Sequence, residues 1–224
     1  MLFVTAIFIF ALTVYNPAKA FINQYSIESR FVKSSDAMQG KPLFIRIFKE
    51  EAVLELWMDE GNGTFKHFKN YPICYFSGKL GPKTKQGDKQ APEGFYAVQK
   101  SSLNPYSQYY LSFNLGYPNA YDRAKGYTGD YLMVHGKCSS IGCYAMTNPQ
   151  IEEIYRFMEK VFDAGQKTVE VHIFPFRMSA DNMKRYEKHE WLAFWNMIKP
   201  AYDYFEQERR LPKITVKDKQ YKIN

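Results

Sequence analysis

The stretch Tyr131-Leu132-Met133-Val134-His135-Gly136-Lys137-Cys138-Ser139-Ser140-Ile141-Gly142-Cys143-Tyr144-Ala145-Met146 runs from an apolar segment through a glycine-containing loop into a second apolar segment. Tyr131 to His135 reads as a buried strand that stops at Gly136. A histidine at the end of such a strand is held rigidly, and a short loop can return a cysteine to it. The thiolate is the reactive form of cysteine and an imidazole can accept its proton. The pattern therefore predicts Cys143 as nucleophile and His135 as general base and acid. Gly142 lets the backbone approach a substrate carbonyl, making the Cys143 amide a candidate oxyanion donor. Two other readings of these residues stay open. A His–Cys pair at this spacing arises by chance, and a metal site of His135, Cys138 and Cys143 could be completed by Cys74 or His172, although no C-x2-C or H-x3-H pair supports it.

Upstream, Leu43 to Phe48 and Ala52 to Trp57 read as a hairpin across Lys49-Glu50-Glu51. Phe65 to Phe68, after the turn signal Gly61-Asn62-Gly63, and Ile73 to Phe76 read as short strands. Ser77 to Gly94 is a long loop rich in Gly and Pro, of a length that usually serves function. Phe95 to Gln99 and Tyr109 to Asn114 read as further strands. Downstream, Asn148 as N-cap and Pro149 in the first turn predict a helix whose apolar face is Ile151, Ile154, Tyr155, Met158, Val161 and Phe162, ending at Gly165. Thr168 to Phe174 alternates as a strand. Helical patterning resumes over Ser179 to Ile198 and Ala201 to Arg210, with Pro200 expected to break it. The expected class is β-rich α+β, with a domain over 41–176 and a helical C-terminal extension over 177–224 that completes the core through Trp191, Phe194, Trp195, Ile198 and Tyr202.

The composition fits a folded protein. Of 224 residues, 46% are apolar and 24% charged, and with 13 Gly and 11 Pro the chain is neither fibrous nor disordered. The net charge of +7 suits acidic partners, but no clustered Lys/Arg stripe points to nucleic acid. Leu2 to Val14 is apolar yet too short for a comfortable membrane span, and Ala18-Lys19-Ala20 supplies a small-x-small cleavage pattern. Residues 1–20 are thus expected to be a signal peptide, followed by a polar leader over 21–40. Export to an oxidising compartment makes three cysteines informative, since an odd count leaves at least one unpaired within the chain. Cys74 and Cys138 could pair and leave Cys143 free, or remain buried thiols. His172 reads as a structural group within its strand, with a supporting site role still open.

The motifs Ala91-Pro92-Glu93-Gly94, His135-Gly136 and Ser140-Ile141-Gly142-Cys143 together resemble the YkuD-type L,D-transpeptidase family, whose members carry T-P-x-G, HG and S-x-G-C. KLGPKTKQGDKQAPEGFY, NLGYPNAYDRA, YLMVHGKCSSIGCYAMTN and FPFRM resemble its YafK (DpaA) branch, over about Lys41 to Phe205. The resemblance implies a YkuD-like β-sandwich catalytic domain with a helix after the cysteine. It also implies acyl transfer on peptidoglycan stem peptides in the periplasm through a Cys143 thioester, with His135 moving the proton, Gly136 and Gly142 in the catalytic motifs, and neither cofactor nor metal. Two departures stand out. In most of the family the loop between His and Cys is much longer, and an Arg stands two residues after the Cys where this chain has Ala145. Ser140, Tyr144, Arg123 and Lys79 are the expected substrate contacts, with Lys83 a further cation able to meet a substrate carboxylate. The branch implies an amidase that detaches Braun lipoprotein by cutting the bond between diaminopimelate and the lipoprotein's lysine. The alternatives are a transpeptidase that forms diaminopimelate crosslinks or attaches lipoprotein, and a non-catalytic module in peripheral contact with the cell wall.

Overall fold

A computed structural model describes residues 41–224; the expected signal peptide and leader lie outside the described residues. The strands in chain order are β1 (Leu43–Phe48), β2 (Val53–Asp59), β3 (Phe65–Pro72), β4 (Tyr75–Phe76), β5 (Gly94–Gln99), β6 (Leu103–Asn104), β7 (Ser112–Asn114), β8 (Met133–His135), β9 (Tyr144–Ala145), β10 (Thr168–Phe174), β11 (Ile214–Lys217) and β12 (Gln220–Ile223). The α-helices are α1 (Ala120–Ala124), α2 (Asn148–Asp163), α3 (Ala180–Arg185) and α4 (Leu192–Glu208). One mixed sheet has the order β3-β2-β1-β10-β5, a second the order β4-β9-β8-β7-β6, and β11 and β12 form a separate hairpin. Parallel pairing joins β1 to β10 and β8 to β9; the other pairs are antiparallel. The β-rich α+β class follows.

Strand β1 is buried along its whole length, as its near-continuous apolar run requires for a strand inside a sheet. One face of its sheet is covered by α4. Phe205 packs on Phe44 and Trp57 at ring distances of 4.9 and 5.0 Å, and Tyr202 packs on Phe174 at 5.5 Å. Trp195, Ile198 and Tyr202 thus complete the core with Phe48, Phe174 and Phe176.

Several elements differ from the sequence reading. Helix α2 is capped by Thr147, whose amide donates to Gln150 Oε1 at 3.0 Å. Asn148 instead accepts the Lys137 amide at 3.0 Å and ties the helix to the loop after β8. The strands expected over 109–114 and 131–135 are shorter, because Tyr110 and Tyr131 adopt φ of 75° and 52°, which no strand can continue through. Pro200 sits inside α4, and the break falls at 186–191. The Asn196 carbonyl that Pro200 leaves without a donor belongs to an exposed residue. Tyr186 and Trp195 must both reach Phe176, at ring distances of 4.7 and 5.1 Å, and a turn between them permits it. The C-terminal segment is also not wholly helical. Tyr221 of β12 stacks on Tyr121 at 4.4 Å and receives the Asn119 side-chain amide at 2.7 Å.

The long loop 77–94 is anchored by a buried ion pair. Lys49, directly after β1, is fully buried with Nζ 3.0 Å from Glu93 Oε1, and it donates to the carbonyls of Lys79, Gly81 and Ala91 at 2.9–3.0 Å. Glu93 also accepts from the Gly81 amide at 2.6 Å and from Trp195 Nε1 of α4 at 2.9 Å. Burial lowers the Lys49 pKa, and Glu93 opposes that shift.

Lys49→Met leaves Glu93 charged and unpaired in the core, and should cost about 3–5 kcal/mol in urea unfolding. Lys199→Met, which removes the partly exposed i,i+4 pair with Asp203, should cost about 0.5 kcal/mol or less in the same measurement. Cys74 and Cys138 form a disulfide across a separation of 64 residues. Replacing both by Ser should lower stability by up to about 4 kcal/mol, the loop-closure entropy of a crosslink of that span. Thiol titration of the unfolded chain should find one reactive group before reduction and three after it.

Candidate active site

The parallel pairing of β8 and β9 sets Val134 opposite Tyr144 and His135 opposite Ala145. One step back along both strands brings Met133 beside Cys143, and the Met133 amide donates to Cys143 Sγ at 3.4 Å. Cys143, just before β9, and His135, at the end of β8, thus sit on neighbouring strands, with Cα atoms about 8 Å apart by strand spacing. The structure sets the two predicted residues on neighbouring strands, with no hydrogen bond between them. The thiol donates to the Tyr131 carbonyl at 3.7 Å. Tyr131 is an exposed residue that the sequence reading did not place at the site, and no side-chain pattern signals a carbonyl's role.

His135 is buried, with Nδ1 2.7 Å from the Gly136 carbonyl. A carbonyl only accepts, so the proton lies on Nδ1 and the Nε2 lone pair is free: the tautomer a general base needs. Desolvation lowers the His135 pKa, and the Gly136 hydrogen bond opposes it. Desolvation raises the Cys143 pKa, opposed by the Met133 amide and the Lys83 ammonium. Both shifts favour the neutral forms, so the resting site is a thiol beside a neutral imidazole rather than a preformed ion pair. Tyr109, half exposed, lies against the imidazole at a ring distance of 4.5 Å and limits its orientation.

The loop between them is held at several points. Cys138 is consumed in the disulfide to Cys74, and the Cys74 amide donates to the Ala145 carbonyl at 2.9 Å, so the crosslink joins the His–Cys loop to the edge where β4 meets β9. That disulfide also removes two thiolates from the rival metal set. His172, another member of that set, is buried in the other sheet between Phe44 and Phe95 at ring distances of 4.8 Å, a structural place. Gly136 is required by close approach, since a Cβ there would lie 2.7 Å from Asn148 Oδ1 and 2.8 Å from the Tyr109 carbonyl. Gly142 has φ +150°, a backbone that a side chain would strain.

The expected substrate contacts are placed otherwise. Ser140 Oγ accepts from the amides of Gly142 and Cys143 at 3.2 and 2.7 Å and donates to the Cys143 carbonyl at 2.8 Å. The amide expected to face an oxyanion is therefore engaged by Ser140, which acts here as the clasp of its own turn. Tyr144 is fully buried, with its hydroxyl donating to the Pro92 carbonyl at 2.7 Å; it packs the loop 77–94 against β9 and does not face a substrate. Arg123 is exposed on α1 and donates to the Pro118 carbonyl. Lys79 is exposed, and its backbone carbonyl serves the Lys49 anchor. Among the described residues, neither Arg123 nor Lys79 hydrogen-bonds to Cys143 or His135. Lys83, the further candidate, is buried and paired with Asp88.

Residues 43–173 match the YkuD family, the L,D-transpeptidase catalytic domain. The chain is 50% identical over 187 residues to YafK of Escherichia coli strain K12, covering 84% of this chain and 76% of that protein, and equally so to YafK of Escherichia coli O157:H7. Among solved structures it is similar to the helical cell shape determining protein Pgp2 of Campylobacter jejuni, at a TM-score of 0.49 and 19% identity over 78% of this chain and 73% of that one. It is more distantly similar to L,D-transpeptidase 1 of Mycobacterium tuberculosis, at a TM-score of 0.32 and 11% identity over 60% and 62%. With the family match spanning more than half the chain and half of all positions shared with YafK over most of it, this chain belongs to the YkuD-type L,D-transpeptidase family.

Proposed function

We propose that this chain is a periplasmic cysteine amidase that hydrolyses the bond between diaminopimelate and the lysine of Braun lipoprotein, releasing the lipoprotein from peptidoglycan. The observation that carries the reading is the one free thiol among the described residues, Cys143, beside the strand that ends in an imidazole whose Nε2 is unprotonated. In the proposed reaction Sγ attacks the amide carbonyl as Nε2 takes the thiol proton. His135 returns that proton to the departing lysine amine, and water then hydrolyses the thioester. The position of the family's Arg supports hydrolysis: Ala145 there is fully buried and paired in the sheet, so it offers no cation to grip a substrate carboxylate. The L,D-transpeptidase name carried by YafK favours transpeptidation through the same thioester, with an amine in place of water.

Incubation with lipoprotein-bearing sacculi followed by mass spectrometry separates these outcomes. Released intact lipoprotein supports the amidase, new diaminopimelate crosslinks support the transpeptidase, and a Cys143→Ala protein of equal activity removes the mechanism altogether. The expected loss in Cys143→Ala is at least about 10³-fold. Intact mass should show a covalent carbapenem adduct on Cys143 in the folded protein and none in the variant.

The pH profile has a definite sign. Protonating Nε2 removes the base, so the rate falls as pH drops through the His135 pKa. Because burial holds that value below the ordinary one of about 6.5, the acidic limb of kcat/KM should lie below pH 6.5. A limb at or above that value contradicts the assignment of His135.

A further inference from the structure

We propose that Ser112 is a positioning residue of this site, a buried hydroxyl that acts through His135 by turning its oxygen toward the imidazolium formed when Nε2 takes a proton. The inference rests on His135 being the general base. Strand β7 pairs with β8 so that Ser112 stands directly opposite His135. The Gly136 amide donates to the Leu111 carbonyl at 3.2 Å and the Leu115 amide to the Leu132 carbonyl at 2.9 Å. In an antiparallel ladder such bonds join every second pair, so Ser112 and His135 form one of the pairs between that carry none. Those are the close pairs, with Cα atoms about 4.5 Å apart and both side chains on one face of the sheet. The same row continues on β9 to the fully buried Ala145.

Ser112 is fully buried, and its Oγ has no hydrogen-bond partner among the described residues. A buried hydroxyl left without a partner weakens a fold, so packing alone would be served better by Ala at this position. A hydroxyl proton rotates about the C–O bond, and the oxygen carries two lone pairs. With no fixed partner, the Ser112 dipole is free to turn. Opposite it, His135 alternates in the proposed reaction between a neutral ring and a cation, while its Nδ1 proton stays on the Gly136 carbonyl. Burial lowers the His135 pKa and so weakens it as a base. A neighbouring dipole that reorients when the positive charge appears favours the cation and offsets part of that loss.

The titratable groups around the imidazole are Tyr109, whose ring centre is 4.5 Å away, Cys143 before β9, and Tyr75 of β4, beyond Ala145 in the same row. Lys137, next but one in the chain, is held on the Gln108 carbonyl, and Glu152 of α2 is held by the Tyr110 hydroxyl and Arg156. Burial and the Gly136 carbonyl, not these groups, set the His135 shift. The test is an NMR titration of the imidazole Cε1 protons in the full, disulfide-intact chain without substrate, with His135→Gln identifying the His135 signal among the four histidines. In Ser112→Ala the His135 midpoint should move down by about half a pH unit, a roughly threefold loss of proton affinity, while the other three histidines keep their wild-type midpoints. On sacculi the acidic limb of kcat/KM should move down with it. A folded Ser112→Ala protein with an unmoved or raised His135 midpoint overturns the proposal. If Ser112→Ala does not fold, Ser112→Thr against Ser112→Val decides, since the two are close in volume and differ by the hydroxyl. A higher midpoint in the Thr variant supports the proposal, and an equal or lower one overturns it. The two readings fail separately. An unmoved midpoint alongside lipoprotein release by the wild type removes only the role of Ser112, whereas full activity of Cys143→Ala on sacculi removes the amidase.

Discussion

The Lys49–Glu93 pair is the constraint on which the arrangement of this protein depends. A lysine at the end of a buried strand can be kept in the core only if every donor finds an acceptor, and here the acceptors are three carbonyls and a carboxylate of the loop 77–94. Glu93 in turn takes the indole donor of Trp195, so the first strand, the long loop and the longest helix meet at two side chains. From that anchor the loop presents the Pro92 carbonyl to Tyr144, adjacent to the nucleophile, and Lys83 to the approach of β8. The glycine and proline content that marks this segment as irregular belongs to a loop with a fixed path.

At the site, the neighbours of sulfur and imidazole favour neutrality while the backbone orients both. The Gly136 carbonyl selects the imidazole tautomer, and the Met133 amide and Tyr131 carbonyl hold the thiol. The short loop between them passes through Lys137 and Cys138 at φ of 65° and 41°, each costing about 1–2 kcal/mol for a residue with a side chain. The disulfide to Cys74, the Asn148 side chain and the Lys137 ammonium on the Gln108 carbonyl hold that conformation in place. A chain with only eight residues from His to Cys thus holds its loop by crosslinking.

Much of this was legible in the residues. Strands with long apolar or alternating runs, β1, β2, β5 and β10, were found nearly to their ends, because burial on a sheet imposes its period directly on the sequence. Short strands at the site were read too long, since left-handed turns at Tyr110 and Tyr131 carry no glycine to announce them. Pro200 misled for a related reason: it and Asn196, whose carbonyl it frees, are exposed residues of the helix, and exposure is a tertiary property.

The sequence by itself determined the family, the β-rich α+β class and the candidate pair of His135 and Cys143, because those follow from residue type, order and period. Only the tertiary structure decided which cysteines pair, that Ser140 and Tyr144 bind their own chain, and that Arg123 binds the Pro118 carbonyl. The physical reason is the same in each case. Hydrogen bonds and disulfides act through distance in space, whether they close the three-residue turn at Ser140 or join residues 52 to 64 positions apart once the sheets have formed.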